Sequence, residues 1–286
     1  MKLSVGTVIK QVGGKFTVRT NDGIIVAHAR NLRQNGVLVG DKVEVQDNVI
    51  TKVSLRKNQL IRPLISNIDQ IVIIVANKPS TDFMLIDKLI IYANENNIDT
   101  IICVNKIEES SLLYNEILIQ YEFVVDKIIK VSAKNGKIDE LRHCIEGKTS
   151  VLAGQSAVGK STIINALFKE NIAQIGELSR IEKGKNTTRH TELYAIDEKT
   201  FLADTPGFSC LELINFEPEE VSKGYTEFYL MSQNCKYRQC DHIFVDKCDC
   251  EVLRQLENNE SLIKRYERYK DLYIETREKW RKKYGK

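Results

Sequence analysis

Residues 154–161 read Gly154-Gln155-Ser156-Ala157-Val158-Gly159-Lys160-Ser161, which has the form G-x-x-x-x-G-K-S. The stretch follows an apolar run at 151–153 and precedes residues 162–168, whose apolar positions recur at helical spacing. A strand, a glycine-rich loop and a helix in this order suit a phosphate group, because backbone N–H groups and the helix N-terminus surround the anion. We predict a nucleotide-phosphate site extending to Thr162, with Lys160 on the outer phosphates and Ser161 on Mg²⁺. The alternative is a plain glycine-containing turn.

The residues on both sides of this loop alternate between apolar runs and helical stretches. Strands are predicted at 71–75, 101–104, 127–131 and 151–153, and helices at 83–95, 110–121 and 137–146. Continuous apolar runs are typical of buried parallel strands. The pattern predicts a doubly wound α/β domain that binds its ligand at the carboxyl ends of the strands.

Two polar stretches after the loop can complete a magnesium and phosphate site. Residues 201–203 lead into Asp204-Thr205-Pro206-Gly207, where a carboxylate at a strand end can hold Mg²⁺ through water. The backbone N–H of Gly207 can contact a γ-phosphate. Either Thr187 or Thr188 can offer a further hydroxyl to Mg²⁺, and Thr188 is preferred.

The N-terminal residues 1–58 predict a small β-barrel of the OB type. Five short strand-like runs are joined by tight turns, the first of them at Gly13-Gly14. Residues 1–60 carry ten Lys or Arg against four Asp or Glu, which favours an anionic partner such as nucleic acid. A purely structural β module remains the alternative. Residues 56–59 have the composition of a linker.

The C-terminal residues predict a zinc site and a long helix. Cys235, Cys240, His242 and Cys248 form the pattern C-x₄-C-x-H-x₅-C, which supplies four ligands for a closed, structural Zn²⁺ site. Cys250 competes for the fourth position, and nothing local excludes it.

Residues 261–286 favour one helix with two different faces. Its aromatic stripe is interpreted mainly as packing surface rather than as a base-stacking platform. The stripe comprises Leu262, Tyr266, Tyr269, Tyr273 and Trp280. The basic residues elsewhere on the helix fit phosphate contacts. These are Lys264, Arg265, Arg268, Lys270 and the run 281–283.

Composition limits the class of protein. The chain has 286 residues, of which 42% are hydrophobic and 28% charged, as in soluble globular proteins. No apolar run approaches the roughly 20 residues of a membrane helix, and the first residues lack an apolar signal core. We therefore expect a cytoplasmic protein without a membrane partner. Residues 252–286 carry eleven Lys or Arg against six Asp or Glu, so both ends of the chain are basic.

The motifs together resemble those of GTPases. Asn105-Lys106-Ile107-Glu108 resembles the guanine clamp N-K-x-D, and Ser132-Ala133-Lys134 resembles the S-A-K element that supports it. Both precede the phosphate loop, so the order is that of a circularly permuted GTPase. With a barrel before and a Cys/His cluster after, the chain resembles the YjeQ/RsgA family of bacterial ribosome-associated GTPases. The family's zinc spacing favours Cys248 as the fourth ligand.

Three residues depart from the family's pattern, and a fourth departs from the pattern of many GTPases. Glu108 replaces the clamp Asp and sits one methylene further out, which weakens the case for strict guanine preference. Ala157 stands where the family often has Gly. Asn186 occupies a position where the family commonly has His, and His190 is only a candidate substitute. Phe208 follows Asp-Thr-Pro-Gly, where many GTPases carry a water-orienting Gln.

The resemblance implies a multi-domain protein. Its parts would be an OB-like barrel (1–58), an α/β permuted GTPase domain (61–214) and a helical zinc-binding domain (215–286). It implies GTP hydrolysis with Mg²⁺ and one structural Zn²⁺, acting in late maturation of the small ribosomal subunit. We expect a monomer that binds rRNA, with slow intrinsic turnover and stimulation by the subunit. The alternatives are an RNA-binding assembly factor that holds nucleotide with little hydrolysis, and a nucleotidase of relaxed base preference.

Overall fold

The computed structural model describes residues 3–29, 36–61, 63–172, 191–204, 211, 213, 216–257 and 259–285. These residues form a barrel, a six-stranded sheet flanked by helices, and a helical C-terminal module. None of the helices in the described ranges combines the length and apolarity that a membrane crossing requires.

The N-terminal part is a closed five-stranded barrel with the neighbour order β1-β2-β3-β5-β4, which confirms the OB-like prediction. Its strands are β1 (Leu3–Val12), β2 (Lys15–Thr20), β3 (Gly23–Ala29), β4 (Lys42–Gln46) and β5 (Val49–Val53). The predicted hairpin closes where Val12 pairs with Lys15. Along β2 and β4 alternate residues face inward, so Phe16 and Val18 pack with Val43 and Ile50 in the barrel core.

The segment predicted as a linker is instead a hydrogen-bonded joint. Gln59–Ile61 forms strand β6 and pairs with β7 (Leu64–Ser66). The buried carboxylate of Asp41 accepts hydrogen bonds from Arg56 Nε at 2.7 Å and Ser66 Oγ at 2.6 Å. Because Asp41 lies at the start of the barrel strand β4 and Ser66 precedes the central sheet, this contact fastens the barrel to the α/β part.

The central sheet has the order β10-β9-β8-β11-β13-β12, and all neighbours are parallel except the edge strand β12. Its strands are β8 (Gln70–Val75), β9 (Asp99–Val104), β10 (Lys127–Lys130), β11 (Thr149–Ala153), β12 (Leu193–Ala195) and β13 (Phe201–Asp204). Its helices are α1 (Phe83–Glu95), α2 (Leu112–Tyr121), α3 (Asp139–Ile145) and α4 (Lys160–Ile172). The predicted doubly wound domain is confirmed, and the strand order reverses between β8 and β11.

The C-terminal module is helical. It contains α5 (Pro218–Gly224), α6 (Thr226–Ser232), α7 (Glu251–Gln255) and the long α8 (Glu260–Tyr284). Tyr266 and Tyr269 of α8 are buried against Tyr225 and Phe228, so this part of the aromatic stripe is packing surface as predicted. Arg265 is buried as well, which overturns the prediction that it faces phosphate.

Candidate nucleotide site and metal centre

The sheet topology brings the predicted nucleotide motifs together at one end of the strands. The parallel strands β8, β9, β10, β11 and β13 all have their carboxyl ends on that side of the sheet. The loops after β9, β10 and β11 carry Asn105, Ser132 and Gly154, respectively. The backbone of Asp204 pairs with Leu152, two residues before the phosphate loop. A crevice at a point where the strand order reverses is the expected ligand position in such sheets.

The glycines of the phosphate loop are required by its backbone. Gly154 has a φ of +133°, and a Cβ there would lie 2.3 Å from the Ile74 carbonyl oxygen. Gly159 has a φ of +100°, and a Cβ would lie 2.4 Å from Asn105 Nδ2. Ala157 has a φ of +66°, in the left-handed region that costs a non-glycine residue about 1–2 kcal/mol. Residue 157 therefore adopts the left-handed backbone that favours glycine, the residue that the resemblance suggests there.

Lys160 begins α4, and its side chain turns back into the loop. Its Nζ donates to the carbonyl oxygens of Gly154 at 2.7 Å and Gln155 at 2.6 Å. This places the ammonium group on the axis of the loop, where outer phosphates bind in such motifs. Gln155 Oε1 accepts a hydrogen bond from the backbone N–H of Asp82, the N-cap of α1. Sequence reasoning did not anticipate this contact.

One buried side chain joins the three nucleotide motifs. Asn105 donates from Nδ2 to the carbonyl oxygen of Val158 at 2.9 Å. Its Oδ1 accepts from the backbone N–H of Ala133 at 3.2 Å. The predicted base-reading loops are therefore fixed to the phosphate loop by an amide that is only 2% exposed. An amide has one donor end and one acceptor end, which is why Asn fits between a carbonyl and an N–H group.

Lys106 adds a second link between the same loops. It has a φ of +59°, and its Nζ donates to the carbonyl oxygens of Lys78 at 2.8 Å and Ala157 at 3.1 Å. The backbone N–H of Ile107 donates to Val131 at 3.3 Å, next to the S-A-K element. These bonds therefore fix the predicted clamp, residues 105–108, to the phosphate loop on one side and to the backbone beside the S-A-K element on the other.

Glu108 is exposed and ionises readily. The nearby hydroxyl of Ser132 is the main cause that lowers its pKa, and the charges of Lys134 and Lys106 lower it further. A carboxylate near the predicted base site can accept hydrogen bonds from guanine N–H groups. Glu108 therefore retains an ionised carboxylate at the position of the clamp Asp.

Several predicted residues lie outside the described part of the chain. These are Asn186, Thr187, Thr188, His190, Gly207 and Phe208. Of Asp204 only the backbone is described. Their roles at Mg²⁺ and in hydrolysis stay predictions.

A second candidate site lies in the C-terminal module. Cys235, Cys240, His242 and Cys250 place one donor atom each within 4.8 Å of one another. Cys235 Sγ lies 3.9 Å from Cys250 Sγ, close to the roughly 3.8 Å expected between two thiolates on a tetrahedral Zn²⁺. Cys250 Sγ lies 3.4 Å from Nδ1 of His242, which identifies Nδ1 as the donor nitrogen. Three thiols and one imidazole at this spacing fit a closed zinc site.

In the structure Cys250, rather than the predicted Cys248, lies with the other three donor residues. Cys248 lies in a short 3₁₀ turn (Lys247–Asp249), is exposed, and points to the carboxylate of Asp249. Cys250 is fully buried at the start of α7. The clustered donor residues therefore have the spacing C-x₄-C-x-H-x₇-C, whereas the sequence predicted H-x₅-C at the last interval.

Groups around the cluster orient its donor atoms. The backbone N–H of Glu251 donates to Cys235 Sγ at 3.3 Å. The hydroxyls of Tyr266 and Tyr269 donate to the carbonyl oxygens of His242 and Asp241, both at 2.7 Å. Burial lowers the pKa of His242, which keeps the imidazole neutral and able to bind a metal. The tyrosines were predicted as packing residues, and these hydrogen bonds are an additional role.

Replacing Asn105 with alanine should weaken guanine-nucleotide binding about tenfold or more. The substitution leaves the Val158 carbonyl and the Ala133 N–H without their partner, and each such buried loss costs about 1–3 kcal/mol. Titration with a fluorescent GDP analogue measures the change. Asn96→Ala is the control, because the Asn96 amide donates to the Tyr92 carbonyl oxygen at the far end of α1, away from the nucleotide loops. Equal affinity in both variants would contradict the bridging role.

Comparisons with known proteins agree with this arrangement. The model of the RsgA GTPase family matches residues 53–214. The small ribosomal subunit biogenesis GTPase RsgA of Ruminiclostridium cellulolyticum is 36% identical, covering 95% of this chain and 93% of its own length. The protein of the same name from Caldanaerobacter subterraneus subsp. tengcongensis is 35% identical, and the alignment covers 98% of each chain.

Two solved structures share the fold over nearly the whole length. YjeQ from Thermotoga maritima has a TM-score of 0.82 at 30% identity, covering 96% of this chain and 99% of that one. YloQ, described as a circularly permuted GTPase, has a TM-score of 0.77 at 28% identity, covering 97% and 96%. The family match spans more than half of the chain, and the relatives are similar along almost all of it. This protein therefore belongs to the RsgA GTPase family.

Proposed function

We propose that this chain is a GTP-hydrolysing factor that acts in late maturation of the small ribosomal subunit. The observation that carries the proposal is the bridge made by Asn105, which joins base-reading and phosphate loops in a member of the RsgA family. The named relatives are small ribosomal subunit biogenesis GTPases. A site built this way holds a guanine base and its phosphates in one fixed geometry.

The residues act by position and charge rather than by covalent chemistry. The loop residues 154–162 would surround the phosphates, with Lys160 against the charge that develops on them. Ser161, Thr188 and Asp204 would hold Mg²⁺, which neutralises charge on the phosphate oxygens when bound. Residues 105–108 and 132–134 would read the base, and the N–H of Gly207 would contact the γ-phosphate.

The flanking parts would bind the subunit. The basic barrel suits rRNA, and we expect the protein to act as a cytoplasmic monomer. Cys235, Cys240, His242 and Cys250 would hold one structural Zn²⁺, which leaves no open position for chemistry. The metal would keep the C-terminal module folded.

The sequence around Phe208 favours activity that depends on the partner. An apolar side chain cannot orient water, so hydrolysis by the protein alone should be slow. The second candidate, an assembly factor that holds nucleotide with little hydrolysis, rests on the same residue and on Asn186. The two candidates differ in whether the subunit raises turnover.

Lys160→Ala should lower subunit-stimulated GTP turnover about 100-fold or more, because a preorganised charge at the reacting phosphate is lost. The measurement is phosphate release by purified protein, with and without small ribosomal subunits. Lys127→Ala is the control, because Lys127 is an exposed lysine at the start of β10, away from the barrel and the nucleotide loops.

The outcomes separate the candidates. Stimulation of the wild type that disappears in Lys160→Ala supports a ribosome-triggered GTPase. Tight GTP binding without stimulation favours the scaffold role. Competition between GTP and ATP tests the effect of Glu108, and equal competition would indicate a nucleotidase of relaxed preference.

A further inference from the structure

Helix α8 extends beyond the body of the C-terminal module. Leu272 and Thr276 are its last buried residues, and every described residue from 278 to 285 is exposed. We call residues 277–284 the α8 tip. Its sequence contains five Lys or Arg, one Glu and two aromatic residues. The tip therefore exposes positive charge to solvent. Its aromatic residues lie beyond the part of α8 that packs against the module.

One face of the tip alternates aromatic and cationic side chains. Arg277, Trp280, Arg281 and Tyr284 are spaced by three and four residues and so lie on the same side of the helix. The rings of Trp280 and Tyr284 are 5.7 Å apart between centroids. Trp280 is 38% exposed and Tyr284 60% exposed, although both are large apolar groups. Lys283 lies 5.0 Å from the centre of the Tyr284 ring.

A third aromatic ring from the metal-binding loop joins this face. Phe244 is two residues after His242 and is 64% exposed. The guanidinium of Arg277 lies 4.7 Å from the centre of its ring. The position of Phe244 is fixed because its backbone N–H donates to Asp241 Oδ1 at 2.9 Å. The face is therefore a row of Phe244, Arg277, Trp280 and Tyr284 that spans two elements.

The chemistry of this row fits a nucleic acid better than a protein. Residues 277–284 contain no aliphatic side chain, whereas helices that dock on proteins present apolar anchors. Cations bind phosphates, and exposed rings stack on bases that are not already paired. The barrel lacks this combination, because Phe16 is the only aromatic residue among the first 60 and is buried.

We propose that Phe244 and the α8 tip form a stacking platform for unpaired RNA bases. The inference deepens the proposed function, since it names one RNA-contacting surface of a factor that acts on the small subunit. Double-stranded RNA would bind the same cations but could not stack, because its bases already stack on each other.

The only tryptophan of the chain reports on this surface directly. Trp280 is that residue, so intrinsic tryptophan fluorescence measures base stacking in the full-length protein. A ten-nucleotide single-stranded RNA should quench the emission. A duplex of the same length and inorganic polyphosphate test charge alone, and neither should quench comparably.

Variants test the platform with labelled RNA and fluorescence anisotropy. The double variant Trp280→Ala/Tyr284→Ala keeps every charge of the tip and should lose about tenfold or more in affinity for single-stranded RNA. Trp280→Phe should retain most of the affinity, since a ring remains. Tyr229→Ala removes an equally exposed ring from α6 and should have no effect. Lys282→Ala should weaken single-stranded and duplex RNA alike and reduce the salt dependence.

The outcomes distinguish the platform from the proposed function. Equal quenching by polyphosphate or duplex RNA, or an unchanged affinity in the double variant, would overturn the platform. If subunits stimulate GTP turnover in that case, the proposed function still holds. If single-stranded RNA quenches and subunits fail to stimulate, the platform stands and the GTPase role fails.

Discussion

Replacing Cys250 with serine is expected to remove the metal from the C-terminal module, whereas replacing Cys248 should leave it bound. Cys250 Sγ lies within 3.9 Å of both Cys235 Sγ and His242 Nδ1, and Cys248 does not join this group. Structural zinc contributes about 10–16 kcal/mol to the folding of small metal domains, so losing a ligand has a large effect. Zinc per chain, measured by elemental analysis, should fall from about one to about a tenth or less in Cys250→Ser.

Two further measurements make this result specific. Cys144→Ser, a half-buried cysteine of α3, controls for the general effect of removing a thiol. Hydrogen exchange should rise in α7 and in the part of α8 that contains Tyr266, because that tyrosine is bonded to the metal-binding loop. Loss of zinc in Cys248→Ser with retention in Cys250→Ser would refute the corrected ligand set.

The zinc ligands show what residue spacing can and cannot predict. The presence of a four-ligand cluster followed from four donor residues within a short segment. The choice between Cys248 and Cys250 depends on a single 3₁₀ turn that rotates one thiol outward and directs the other into the core. Spacing counts residues along the chain and cannot register such a rotation.

The phosphate loop was more predictable because its glycines act through the backbone. Gly154 and Gly159 are needed for positive φ and close approach, and the motif records these needs directly. The strand order brought Asn105 and Ser132 to the loop edge as expected for parallel strands. The bridge from Asn105 to Val158 was not predictable, because it joins loops far apart in sequence. The hydrogen-bonded joint between Asp41 and Arg56 was not predictable either, because residues 56–59 have the composition of a linker.

The interface between the GTPase domain and the C-terminal module was also missed by sequence reasoning. It is centred on Asp87 of α1, which is 1% exposed. Asp87 Oδ1 accepts from Arg265 at 2.7 Å and from the Tyr121 hydroxyl at 2.7 Å. Asp87 Oδ2 accepts from Arg268 at 2.6 Å and from the Tyr225 hydroxyl at 2.9 Å. One carboxylate therefore binds four donors from three separate parts of the chain.

The surroundings of Asp87 keep all of these donors in their required protonation state. Burial and the nearby charge of Asp87 raise the pKa of Tyr121 and Tyr225 well above their usual range, so both hydroxyls stay protonated. Burial tends to lower the pKa of Arg265, but attraction to Asp87 and Glu227 outweighs it and the pKa is raised. Arg265 also pairs with Glu227 of α6. Two cations and two anions thus balance inside the interface, which explains why basic residues of α8 could be buried.

Asp87→Asn should destabilise the attachment of the C-terminal module by about 3–5 kcal/mol. The variant keeps the shape of the side chain but leaves the buried Arg265 and the half-buried Arg268 facing a neutral amide, and removing one partner of a buried charge pair has this cost. Urea unfolding followed by far-ultraviolet circular dichroism measures the change, since the C-terminal module is helical. Hydrogen exchange should rise in α5 and α8 while the barrel stays protected.

An exposed ion pair of the barrel tests whether burial is the reason for the large loss of stability expected in Asp87→Asn. Lys52 and Glu44 of the barrel form an ion pair at 3.0 Å, but the lysine side chain is 66% exposed. Lys52→Ala should change stability by at most about 1 kcal/mol, because water already solvates both charges. If Asp87→Asn lowered the stability as little as Lys52→Ala does, the four hydrogen bonds to Asp87 would add little beyond the apolar packing of α1 on α5 and α8. The module would then be held by its tyrosine and phenylalanine contacts rather than by charge.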